Sequence, residues 1–122
     1  MAVDAYLKTA AAQLRRVAGT LKDDTNELRN YLTRKQSDVQ QEMKIHEQQI
    51  QRRQSDLSRI DDLTEKARKT KEIAVLQQQI KDLQRQLDAE KNEKQNRISE
   101  IESGASQLAS QASDIERQAG AL

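Results

Sequence analysis

Residues 57–66 read LSRIDDLTEK, and the fold is decided by whether the chain reverses there. Asp61 and Asp62 interrupt an apolar stripe that otherwise runs almost the whole length of the chain. Asp62 followed by Glu65 has the spacing of a capping box, which satisfies backbone N–H groups in the first turn of a helix. That spacing predicts a second helix starting near residue 63 and a turn over about 59–63. A turn within Glu65–Lys71 is the competing position.

The stripe on either side supports a reversal. Before the turn it reads Val3, Leu7, Ala10, Leu14, Val17, Leu21, Leu28, Leu32, Val39, Met43, Ile50, Leu57; after it, Ile73, Leu76, Ile80, Leu83, Leu87, Ile98, Ile101, Ala105, Leu108, Ala112, Ile115, Ala119. Steps of three and four are the mark of helices that pack on helices. Folding at Asp61-Asp62 sets Ile50 against Ile73, Met43 against Ile80, Leu21 against Ile101 and Leu7 against Ile115. Steps of four and four at Leu28, Leu32 and Gln36, and at Leu83, Leu87 and Lys91, then fall at one level. Such stutters locally unwind a coiled coil. A further stutter at Val17, Leu21 and Thr25 has no counterpart. Gly19 falls opposite Gly104, and helix breaks there are one expectation; glycines tolerated mid-helix, at about 1 kcal/mol each, are the other.

The expected fold is therefore all-α: a long antiparallel two-helix coiled-coil hairpin forming a single elongated unit over 1–122. Arm one covers about 2–60 and arm two about 63–120, each roughly 80–90 Å long at 1.5 Å per residue. One continuous rod is the alternative. Hydrophobic residues make up 34% of the 122 residues, too few for a compact globular core but enough for a narrow seam. Proline is absent and Leu, Gln, Arg, Lys, Glu and Ala are plentiful, so helix is favoured over disorder. Polar groups in the seam (Thr25, Gln36, His46, Lys91, Lys94, and Arg53 facing Thr70) fix register at a cost in stability.

Chemistry is harder to find. Cysteine is absent, and His46 is the single histidine, so neither a metal set nor a nucleophile–base pair can be assembled. The glycines stand alone, without a phosphate-binding loop. No catalytic, cofactor-binding or metal-binding residues are assigned, no cofactor is expected, and the chain reads as no enzyme. Net charge is +1 with the signs interleaved. Arg52, Arg53, Arg59, Lys66, Arg68, Lys69 and Lys71 gather near the turn, but Asp56, Asp61, Asp62, Glu65 and Glu72 alternate with them and no aromatic stands by for base stacking. Nucleic acid or an anionic membrane surface is accordingly the third reading. No apolar run approaches a membrane span and no signal peptide is visible. The expected compartment is the cytoplasm, with leaderless secretion as the alternative.

The ends differ from the middle. They are rich in Ala, Ser and Gln, and small residues let helices approach closely. Ala2, Ala5, Tyr6, Ala11, Ala12, Ala18 and Ala109 are the candidate interaction residues, with Ala11, Ala18 and Ala109 flanking the seam and widening its apolar face. A third or fourth helix, from a homo-oligomer or a helical protein partner, is expected to dock at this open end. In shape alone the chain resembles the small leaderless hairpins of type VII (ESX) export, although their Trp-x-Gly turn is missing because there is no Trp. It is similar in shape also to coiled-coil adaptors and chaperones of flagellar and type III secretion, and to filament subunits with paired terminal helices. No motif is shared, so no functional residue is carried over. The leading expectation is a self-assembling coiled-coil structural or interaction protein (scaffold, spacer or filament subunit). A secretion-related adaptor, chaperone or leaderless secreted hairpin is second.

Overall fold

The computed structural model describes residues 2–121. The described chain is an all-α helical hairpin of two helices, α1 (Ala2–Leu57) and α2 (Leu63–Ala121). The reversal occupies residues 58–62, as the Asp62 signal requires. Asp62 is the N-cap of α2. Its Oδ1 accepts from the Thr64 N–H at 3.0 Å, and its backbone carbonyl accepts from the Lys66 N–H at 3.0 Å. The Glu65 carboxylate lies 3.5 Å from Arg68. At the other end, the Arg59 N–H donates to the Asp56 carbonyl and the Ile60 N–H to the Leu57 carbonyl, so the last turn of α1 tightens before it releases the chain. No described residue has a positive φ, so the turn needs no glycine.

Both helices run unbroken through their glycines, which corrects the expectation of breaks near Gly19 and Gly104. Neither glycine has the left-handed conformation of a helix terminus, and a Cβ added at either would meet nothing within 4 Å. A lone glycine lowers helix propensity but cannot end a helix whose neighbours on both sides are packed into a seam.

The hairpin divides into two compact units. One holds residues 32–92 and the turn; the other combines the chain up to Tyr31 with the chain from Glu93 onward. In the turn unit, Ile50, Ile73 and Leu76 form a buried cluster, with Leu57 and Ile80 packed against it. Val39 and Leu87 are buried as well. Lys35 and Gln36 are both half-buried, and so are Glu90 and Lys91 on the other helix. Lys35 Nζ stands 4.0 Å from Glu90, so the two stutters sit at the same level. The Arg53 guanidinium reaches Glu72 at 3.0 Å, a charge-assisted bond between the helices.

In the terminal unit the seam is shifted from the expected one. Val3 and Val17 are exposed, and the covered positions are Asp4, Leu7, Ala11, Leu14, Ala18, Leu21, Thr25 and Leu28, with Ala10 half-buried beside them. Thr25 decides the phase. It is buried at 2% exposure, and strict steps of three and four backward from it land on Ala18 and Ala11 rather than Val17 and Ala10. The unmatched stutter at Val17 disappears with this shift, and the seam stays heptad throughout the unit. The Thr25 hydroxyl donates to the Lys22 carbonyl at 2.7 Å, which satisfies it inside the seam. Facing α1, the buried positions of α2 are Ile98, Ala105, Ala112 and Ala119.

Candidate interaction surface

The terminal unit has two flanks, set by the position of each residue relative to the seam. Successive residues of a helix are about 100° apart. Residues one step after a seam position therefore lie on one flank, and residues one step before it lie on the other.

The first flank is a groove rimmed by charge. Arg15 follows Leu14, and Glu116 follows Ile115. Their bond is a two-pronged one, with Arg15 Nε at 2.8 Å and a second guanidinium nitrogen at 2.9 Å from the two carboxylate oxygens. Arg15 also donates to the Ser113 hydroxyl at 3.2 Å. The hydrogen bond between Arg15 and Glu116 raises the Arg15 pKa above its ordinary value and holds the Glu116 carboxyl below the usual carboxylate range. Arg29 pairs likewise with Glu102. Between these clasps lies an open groove of about 630 Å³, with Ala18, Gly19, Ala105, Ser106 and Ala109 among its lining residues. The walls are low because these side chains are small. Lys22 also lines the groove and has no ion-pair partner among the described residues.

The second flank is a ridge. Val3, Tyr6, Ala10 and Val17 each precede a seam position. Val3, Tyr6 and Val17 are 61%, 73% and 49% exposed. Tyr31 stands in the same heptad phase as Val3 and Val17, with Lys94 Nζ 5.7 Å from its ring centre. That contact lets the half-buried Lys94 carry its charge out of the seam.

The candidate residues separate accordingly. Ala2, Ala5, Tyr6 and Ala12 are exposed, and Ala109 is half-buried at the groove. Ala11 and Ala18, at 0% and 6% exposure, do not flank the seam but fill it. The residues not singled out from sequence are Val3, Ala10 and Val17, which were assigned to the seam, and Gly19 and Ser106 in the groove. The strict heptad ending in Thr25 was the signal that would have moved them.

Elsewhere the chemistry is sparse. His46 shares a shallow groove in the turn unit with Glu42 and Asp82, and its Nδ1 has no hydrogen-bond partner. Among the described residues no three His, Cys, Asp or Glu side chains converge to hold a metal, and no helix is long and apolar enough to cross a membrane. Comparison with family models, curated proteins and solved structures gave no match.

Proposed function

We propose that this chain is a non-enzymatic coiled-coil protein that assembles with copies of itself through its terminal unit, as a scaffold, spacer or filament subunit. The observation carrying this reading is the exposed set Val3, Tyr6 and Val17, on a helix whose buried positions in the same unit include only alanine and threonine at every seventh residue. Large apolar groups left in water beside small ones in the seam are a surface that gains by being covered. Light scattering over a wide concentration range tests the proposal. Mass should rise with concentration; a strictly monomeric mass at the highest concentration overturns it.

A further inference from the structure

The ridge and the groove lie on opposite flanks of one unit, and their shapes are converse. The ridge presents large side chains at heptad spacing, Val3 and Val17 with Tyr6 between, and the described residues leave about half or more of each exposed. The groove is open and floored by small residues, and at Gly19 a Cβ would meet no atom within 4 Å. The charges are converse too. Among the described residues Lys22 at the groove lacks an ion-pair partner; on the ridge flank, one step before seam positions, Asp24, Glu27 and Glu100 lack one too and outnumber the unpaired Arg97. An occupant of the groove must offer apolar knobs on a helix at a 3.5-residue period, with carboxylates beside them. This chain's own ridge meets each requirement.

We infer that the ridge of one copy docks into the groove of a second copy, with Val17 and Tyr6 as knobs and Lys22 meeting a carboxylate of the incoming ridge. The inference rests on the self-assembly reading and adds its geometry. Because the two surfaces differ and stand on opposite flanks, the contact is heterologous: each added copy leaves a free ridge at one end and a free groove at the other. Such a contact builds an open array or a closed ring, whereas a self-complementary patch stops at a dimer.

Two variants test this in the full chain. Val17→Glu spoils the ridge at a half-exposed position, and Gly19→Arg fills the groove from a position with open space around it. Circular dichroism should show the helical content of both unchanged. In sedimentation experiments the wild type should grow beyond a dimer with concentration. Each variant alone should assemble at least ten-fold more weakly. A one-to-one mixture of the variants should form a heterodimer that grows no further, since it has one intact ridge and one intact groove. Wild-type growth that neither variant weakens overturns this inference and leaves self-assembly standing. A mixture that fails to pair, although each variant blocks growth, overturns the heterologous geometry in favour of a self-complementary contact. A wild type that stays monomeric overturns both.

Discussion

Replacing Gly19 and Gly104 by alanine tests the continuity of the two helices most directly. Both glycines are helical, neither has a positive φ, and beyond the surrounding helical backbone neither has an atom within 4 Å of the place a methyl group would occupy. The substitution therefore adds no clash and removes backbone freedom from the unfolded chain. In a helix interior, alanine is favoured over glycine by about 0.8–1 kcal/mol. Gly19 precedes no seam position and lines the groove, whereas Gly104 precedes Ala105 and lies on the other flank. On opposite flanks the two effects should add, to about 2 kcal/mol. An unfolding entropy of about 2.1 cal/mol/K per residue, over a chain of this length, makes each kcal/mol worth roughly 4 °C. The double variant should thus melt about 8 °C higher, and each single variant about half as much. The assay is thermal and urea denaturation followed by circular dichroism, at concentrations where the protein is monomeric so that changes at the groove do not enter. If either alanine left the midpoint unchanged or lowered it, the helix would not pass through that glycine as described. A lower midpoint is the result that a left-handed residue at a helix terminus gives, and it would restore the break that the sequence allowed.

Two further predictions concern the turn and the charge clasps. Asp62→Ala removes the oxygen that accepts from Thr64 N–H and should lower stability by about 1 kcal/mol, read as a fall in the urea midpoint, while Asp62→Asn should keep most of it. Glu72 and Glu116 titrate below the ordinary carboxylate range because each is hydrogen-bonded to an arginine, Arg53 and Arg15 respectively. A carboxylate depressed in the folded state adds stability above its unfolded pKa of about 4.3, and that stability is lost as pH falls through the lower folded value. Urea midpoints should therefore be flat from neutral pH down to about 4.5 and fall below it. Arg53→Gln should make that fall shallower, and an unaltered profile would mean that the Arg53–Glu72 bond has no counterpart in solution.

The fold was legible because two independent signals agreed. Heptad stripes flanked an Asp62 cap, and the stutters near Gln36 and Lys91 fell together only if the chain reversed between them. The structure places Lys35 and Glu90 in contact at that level. What could not be read as easily was the phase of the seam near the ends. Two heptad stripes lie side by side there, one of Val3, Ala10 and Val17 and one of Asp4, Ala11 and Ala18. Hydrophobicity favours the first. Packing chose the second, because small residues allow two helices to approach closely and the phase must also accommodate Thr25 and Leu28. A periodicity search weighted by side-chain size picks the larger stripe, so the exposed ridge was mistaken for core and the buried alanines for surface.

That inversion bears on what the protein does. A rotation of α1 by one residue in the terminal unit would bury Val17 in place of Ala18 and Val3 in place of Asp4. Asp4 has a buried carboxylate oxygen without a hydrogen-bond partner, although its other oxygen reaches Lys8 at 3.4 Å. Each additional buried methylene is worth about 0.8 kcal/mol, and an unpartnered buried polar atom is costly. The same rotation would, however, turn Leu7, Leu14, Leu21 and Leu28 out of the seam and bring Tyr6, Gln13, Thr20 and Glu27 into it, so the observed phase keeps the four leucines and leaves the two valines outside. The observed phase also buries Ala11, Ala18, Ala105, Ala112 and Ala119 in the seam, and it leaves Val3, Tyr6 and Val17 facing outward. In a chain that stays alone those three side chains remain in water. For one that stacks ridge into groove, the same valines and tyrosine are buried a step later against a neighbour, and the low alanine walls are what gives that neighbour room.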